Sequence, residues 1–372
     1  MSHNFINFHV LISHSPSCLN RDDMNMQKTA VFGGKRRVRV SSQSLKRTMR
    51  KSSYAEQNLS KASIRTKRIV SENSENDLKT TILKALEDQY SPELITRTMA
   101  LLIKKDRGAE LPQEGDAVAP WVVDEVAWFC RQVQQAETDG LDDKAIAKKL
   151  KAEMASMRQA LSSGIDIALF GRMATSGLMS ELGKVDGALA VAHAITTHAV
   201  ESDIDWFTAV DDLQELGSGH LDTQEFSSGV FYRYASLNCR QLEENLGGCG
   251  RQRVLDIAAH VAHLLATETP SAKQQSFAAH NPADLTMVSF ADMPISLANA
   301  FETPVQSNRQ GGYRLASIDA LNNYWDRTHR GYSIAESCAA FCLEDIENPE
   351  GIEAMSSLDA LKTWIRRDGE GA

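Results

Sequence analysis

Long apolar runs are absent from this sequence. No stretch approaches the roughly 18 apolar residues that a membrane-spanning helix needs. Residues 1–5 also differ from a secretory leader, which starts with a basic segment followed by an apolar one. We therefore expect a protein that works in the cytoplasm.

Motifs for metals and nucleotides are lacking as well. The six cysteines form no CxxC pair, and no HExxH is present, which argues against zinc and thiol redox sites. Gly177 and Gly183 lie six positions apart, one more than in a P-loop, and Val185 stands where that motif needs Ser or Thr. Neither a GxGxxG after a strand nor a GxSxG elbow occurs. The sequence predicts no metal and no cofactor.

What the chain does have is ordinary globular composition with an unusual charge distribution. The chain of 372 residues is long enough for two or three domains. Of these residues 42% are hydrophobic and 24% charged, as in ordinary globular proteins. The net charge is −9, yet residues 28–68 hold 13 Lys or Arg and one acid, Glu56. This segment carries +12 and the rest of the chain −21. An acidic body with one basic stripe is typical of a protein that binds a polyanion on a chosen face.

Two strands are predicted in the first 40 residues. Residues 5–12 have bulky apolar side chains on both faces, as in a central strand. The run Lys35-Arg36-Arg37-Val38-Arg39-Val40 alternates, so we expect Val38 and Val40 to face the core and Arg37 and Arg39 the solvent.

A cationic helix follows. Ser41 and Ser42 predict an N-cap for a helix over residues 43–52. At about 100° per residue its four cations lie on one arc beside Leu45 and Met49. No acid occurs between Met24 and Ala55, whereas a merely solvated face would alternate its charges. The free amides of a helix N-terminus also favour phosphate binding.

Helical periodicity dominates from about residue 60 to 190, and strand-like stretches return at 225–237 and 285–290. This order predicts an α+β sheet domain interrupted by a helical one. Trp206 and Phe207 stand in an acidic context, and from composition alone we expect them in the core.

Several long strings resemble one known family. They are residues 9–23, 32–47, 171–177, 205–212, 224–234 and 281–284. These strings closely resemble the CasC family, the crRNA-binding backbone subunit of the type I-E CRISPR Cascade surveillance complex. Residues 58–115 and the tail beyond 302 depart from that pattern.

The resemblance implies a hand-shaped fold. Residues 1–59 and 231–372 would form a palm of RRM/ferredoxin-like type, residues 60–190 an inserted helical fingers domain, and residues 191–230 a projecting β-hairpin thumb. Copies would stack head to tail along the guide RNA as an open filament, each thumb displacing a base. The partners implied are crRNA, further copies of the chain, other Cascade subunits, and target DNA that pairs with the guide.

The resemblance also implies RNA-binding residues, carried over motif by motif. They are Arg21, Lys28, Lys35, Ser41, Gln43, Lys46, Arg50, Met173, Trp206, Phe207, Thr208 and Leu221. The polar and basic members are of types that contact phosphates without reading sequence. For Trp206 and Phe207 the resemblance implies the thumb instead of the core.

The resemblance implies a non-catalytic subunit in antiviral defence. An alternative reading is a CRISPR repeat-associated RNA endonuclease that uses a histidine or an acid such as Asp205 for acid–base catalysis. His260 and His263 lie three residues apart on a predicted helix, and we interpret them as helix-surface or capping histidines.

Overall fold

The computed structural model describes nearly the whole chain, namely residues 3–71, 76–104, 110–153, 164–173, 177–210 and 218–370. The chain divides into two compact units. The first, here the sheet unit, comprises Met1–Tyr54, Ala190–Leu237 and Leu255–Ala372. The second, here the helical unit, comprises Ala55–Leu189 and Asn238–Val254.

The strands are numbered in chain order. They are β1 (Phe5–Ser17), β2 (Thr29–Phe32), β3 (Lys35–Val40), β4 (Ile64–Arg68), β5 (Glu114–Trp121), β6 (Leu189–Val191), β7 (Ala194–Thr196), β8 (Asp203–Val210), β9 (Ser218–Asn238), β10 (Leu285–Ala291), β11 (Ser337–Cys342) and β12 (Ile352–Met355). Within the described residues, one large sheet has the order β12-β11-β10-β1-β9-β7-β3-β2, with β6 and β8 pairing onto β9. Among the described strands, β4 and β5 form a separate two-stranded sheet.

The helices are likewise numbered in chain order. They are α1 (Ser42–Lys51), α2 (Ser53–Asn58), α3 (Leu78–Leu86), α4 (Pro92–Lys104), α5 (Val123–Thr138), α6 (Asp143–Ala152), α7 (Ile165–Phe170), α8 (Met179–Leu182), α9 (Cys239–Asn245), α10 (Arg251–Thr267), α11 (Gln274–Phe277), α12 (Arg314–Tyr332) and α13 (Leu358–Arg366). None of them combines the length and apolar content that crossing a membrane requires, within the part of the chain described.

Strand β1 is central, as its sequence predicts. It lies between β10 and β9 and pairs antiparallel with β10 from Phe5↔Ala291 to Leu11↔Leu285. Residues 6, 8, 10, 11 and 12 are fully buried, because both faces of the strand are covered. Leu11 packs in a cluster with Ile318 and Trp325 of α12.

Arg37 contradicts the expected alternation of β3. Val38 and Val40 are buried as predicted, but Arg37 is fully buried too rather than facing the solvent. Its guanidinium donates to the carbonyl oxygens of Thr196 at 2.9 Å, Phe301 at 2.9 Å and Glu302 at 3.3 Å. These three acceptors compensate for the hydration that the guanidinium loses on burial. The alternation of polar and apolar residues along β3 does not reveal such acceptors, because they lie in distant segments.

The helical unit has its own core, formed chiefly by α3, α4, α5 and α6. Val126, Phe129 and Val133 of α5 are fully buried. The β4–β5 pair was not predicted, because β4 reads Ile-Arg-Thr-Lys-Arg and buries none of these residues fully. The α+β class read from the sequence is confirmed.

Candidate nucleic-acid interface

The basic stripe of the sequence is divided between the two units. Its first nine cations, Lys28 to Lys51, belong to the sheet unit, and the last four, from Lys61 to Arg68, belong to the helical unit. In the sequence these two groups of cations form one continuous basic segment. We define the cationic face by the exposed cations of the first group and the adjoining loop, which are Arg21, Lys35, Arg36, Arg47 and Lys51.

A tight turn presents two of these cations. Strands β2 and β3 pair antiparallel, and Gly33 and Gly34 join them with φ of +59° and +71°. A side chain at Gly33 would place its Cβ 1.7 Å from the carbonyl oxygen of Glu302, so only glycine fits. Lys35 and Arg36 leave this turn as exposed residues at the end of the sheet.

Helix α1 presents two more cations and buries another. Leu45 and Met49 are each 2% exposed, while Arg47 and Lys51 point to solvent. Lys46 is half-buried, and Arg50 is only 7% exposed. Arg50 therefore lies on the packed side of the helix, where its stem adds to the apolar contact. Its role in RNA binding stays a prediction, while Arg47 and Lys51 have the exposure that the role needs.

The N-terminus of α1 is engaged by the protein itself. Ser41 is the N-cap, and its Oγ accepts a hydrogen bond from the Ser44 amide at 3.2 Å. The Ser42 amide donates to Nδ1 of His193 at 3.3 Å. Nδ1 also lies 3.1 Å from Nη1 of Arg39. The expected set of free amides is thus partly occupied, and Gln43 in the first turn is left exposed beside it.

His193 is a member of this surface that the sequence did not single out. Burial and the nearby charges of Arg39 and Lys28 lower its pKa. Because Nδ1 accepts hydrogen bonds, the neutral ring carries its proton on Nε2, which can donate to a ligand. Its contact with α1 joins residues far apart in the chain, so no local pattern in the sequence reveals it.

The loop before β2 completes the surface. Asn20 accepts a hydrogen bond from the Ser41 amide through Oδ1 at 2.9 Å, and its carbonyl accepts from the Lys28 amide at 2.9 Å. Arg21 is exposed and donates to Asn25. Lys28 is half-buried. The structure thereby brings Arg21, Lys28 and Ser41 together.

A cleft of about 410 Å³ opens beside α1. Its walls come from the loop at Arg21, from Ser44, Arg47, Thr48, Lys51 and Ser52, and from residues 268–272. Three cations and several hydroxyl groups in one cleft can hold a phosphate and the sugar attached to it. This cleft is therefore a candidate site for a nucleotide.

A β-hairpin carries the predicted thumb residues. Strand β8 pairs antiparallel with the first part of β9, from Asp203↔Phe226 to Val210↔Ser218, and Thr208 pairs with Leu221. Trp206 is 67% exposed, so the core position expected from composition is wrong for it. For Phe207, Thr208 and Leu221 only the backbone is described. Residues 211–217 of the predicted thumb lie outside the described residues.

Met173 belongs to the helical unit, whereas the other predicted RNA-binding residues belong to the sheet unit. It is 77% exposed and follows Arg172, which is fully buried in a bidentate ion pair with Glu125 at 2.6 and 2.7 Å. The pair fixes the backbone that presents Met173. Within the described residues, no group of His, Cys, Asp and Glu side chains is arranged to hold a metal ion.

Comparisons with known proteins cover almost the whole chain. The model of the Cas_CT1975 family, described as CT1975-like protein, matches residues 6–364. No curated protein matches the sequence. A chain from a structure described as "CRISPR RNA-guided surveillance complex, pre-nicking" is 29% identical, with 98% of this chain and 100% of that chain covered and a TM-score of 0.78. A second chain, from a "CRISPR RNA-guided surveillance complex", is 25% identical, with 96% and 98% covered and a TM-score of 0.60.

Proposed function

The chain belongs to the CT1975-like family, and from this membership we propose that it is an RNA-binding subunit of a CRISPR RNA-guided surveillance complex of the Cascade type. The observation that carries the proposal is the match to a surveillance-complex chain along the full length of both chains. A match of this extent includes both compact units. It supports a shared place in such a complex more strongly than a shared domain would.

More finely, we propose a role like that of the CasC subunit of type I-E Cascade, in the cytoplasm. The cationic face would hold the backbone of the crRNA, because its exposed Lys and Arg contact phosphates without distinguishing bases. Copies of the chain would stack head to tail along the RNA with other Cascade subunits. The guide, ordered in this way, would pair with target DNA at a lower entropic cost.

The β8–β9 hairpin would separate segments of the guide. Trp206 is exposed on β8 in a stretch with acidic neighbours, which suits contact with a base rather than with a phosphate. An aromatic ring stacks on any base, so the contact tolerates every guide sequence. The hairpin would therefore act as a thumb that displaces a base at intervals, in line with the site residues implied by the resemblance.

We propose that this subunit breaks no bond. His260, one of the histidines open to the endonuclease alternative, is 8% exposed and shares a hydrogen bond of 2.8 Å between Nδ1 and the Tyr54 hydroxyl. His263 stacks on the Tyr54 ring at 3.7 Å. These contacts support a packing role for both imidazoles.

The test is binding of single-stranded RNA by the purified chain. Two unrelated RNAs of equal length should bind with similar affinity, binding should weaken steeply with salt, and the number of chains bound should grow with RNA length. The RNA should be recovered intact. Cleavage of repeat RNA that a His260→Ala or Asp205→Asn variant abolishes would favour the endonuclease. Affinity independent of salt would contradict the cationic face.

A further inference from the structure

One carboxylate lies in the cationic cleft. Glu268 follows the end of α10 and lines the same cleft as Arg21, Arg47 and Lys51. If the cleft bound only phosphate, a carboxylate there would repel the ligand. A ligand that also brings a hydrogen-bond donor can instead use this carboxylate as an acceptor.

Hydrogen bonds to its backbone fix the position of Glu268. Its amide donates to the Leu264 carbonyl at 3.0 Å, which extends the hydrogen bonding of α10 by one residue. Nη1 of Arg233 donates to the carbonyl oxygens of Leu265 at 2.9 Å and Glu268 at 2.8 Å. Arg233 is itself 2% exposed. A buried guanidinium thus holds the backbone of Glu268, so the carboxylate enters the cleft from a rigid support.

The immediate surroundings leave the carboxylate with acceptor capacity. Burial raises the pKa of Glu268, while a hydrogen bond from the Ser52 side chain and the charge of Arg233 act in the opposite direction. A carboxylate has about four acceptor positions, and among the described residues the Ser52 hydroxyl is shown to occupy one of them. A hydrogen bond from a ligand can therefore be added without displacing Ser52.

We propose that Glu268 accepts a hydrogen bond from the 2′-hydroxyl group of a ribonucleotide whose phosphate contacts Arg47 or Lys51. The inference rests on the proposed function, because it takes the ligand to be RNA bound irrespective of sequence. The donor common to all four ribonucleotides is the 2′-hydroxyl, whereas amino groups differ from base to base. Glu268 thus makes the cleft selective for RNA over DNA.

The experiment compares RNA with 2′-fluoro RNA of the same sequence. Fluorine keeps the RNA-like sugar but cannot donate a hydrogen bond, so the ratio of the two affinities isolates the donor. We expect the wild type to favour RNA by about 10-fold, the factor for one hydrogen bond to a charged group. Glu268→Ala should bring the ratio close to one, and Glu268→Gln, which is nearly isosteric, should reduce it. Asp319→Ala, which removes an exposed carboxylate of α12 outside the cleft, should leave it unchanged.

The contrary results are distinct. If Glu268→Ala and Glu268→Gln strengthen the binding of both oligonucleotides equally, the carboxylate only repels phosphate and the inference is overturned. A wild-type ratio of one, with binding still dependent on salt, also overturns it but leaves the proposed function standing. If neither oligonucleotide binds the wild type at all, the proposed function fails and the inference fails with it.

Discussion

Neutralising two exposed cations of α1 should weaken RNA binding in a predictable way. Arg47 and Lys51 lie one helical turn apart, both exposed and both in the cleft. A cation about 4 Å from a phosphate in water contributes about 1 kcal/mol. The Arg47→Gln, Lys51→Gln variant should therefore lose about 2 kcal/mol, or about 30-fold in affinity, at low salt.

The salt dependence gives a second and independent measure. Each phosphate contact to a single strand contributes about 0.7 to the slope of log affinity against log salt. Loss of both contacts should therefore reduce the slope by about 1.4. Fluorescence anisotropy with labelled single-stranded RNA, measured over a range of salt concentrations, provides both quantities.

The matched control removes the same two charges elsewhere. Lys84 on α3 and Arg131 on α5 are exposed residues of the helical unit, and their replacement by Gln should leave affinity and slope unchanged. Thermal unfolding of the α1 variant should stay near that of the wild type, because substitutions at exposed sites usually change stability by less than about 0.5 kcal/mol. An unchanged slope in the α1 variant, with normal RNA binding, would refute the placement of RNA in this cleft.

Three further predictions concern other parts of the chain. Trp206→Ala should cost about 1 to 3 kcal/mol in RNA affinity with the salt slope unchanged, because base stacking involves no ion release; a reduced slope would argue against stacking. Glu125→Gln should lower the unfolding temperature markedly, since leaving Arg172 buried without its partner costs about 3 to 5 kcal/mol, and an unfolding temperature equal to that of the wild type would contradict this cost. For His329, burial acts to lower the pKa, but the hydrogen bond and charge of Glu336, 2.6 Å away, outweigh it and raise the pKa. A raised pKa stabilises the fold fully below the unfolded value of about 6.5 and loses this effect as the pH rises through the folded pKa, so the gap in unfolding temperature between the wild type and His329→Gln should shrink from pH 6 to pH 8.5; a constant gap would refute it.

Strands and helices could be predicted from the sequence where neighbouring residues alone define them. Strand β3 has the predicted bounds, and α1 begins one residue earlier and ends one residue earlier than predicted. The β4–β5 pair was missed, because a cationic strand has no apolar alternation to reveal it. Arg37 was misplaced, because its three acceptors lie more than 150 residues away in the chain.

In the candidate site, too, one part was predictable from the sequence and another part only from the fold. Charge composition alone located the acid-free stretch that supplies four of the five cations of the cationic face, since the count of Lys and Arg needs no coordinates. Only the fold separated its members, exposing Arg47 and Lys51 while burying Arg50, and assigning Lys61 to Arg68 to the helical unit.

Residue types and their periodicity determined the α+β fold class and the position of the basic stripe, because they set which segments bury apolar surface and which carry charge. The tertiary structure alone decided the neighbours of each charged group. The contact of His193 with the N-terminus of α1 joins distant segments, and so does the cleft that both α1 and Glu268 line. The physical reason is that hydrogen bonds and Coulomb interactions act over a few ångströms in space, whatever the separation along the chain.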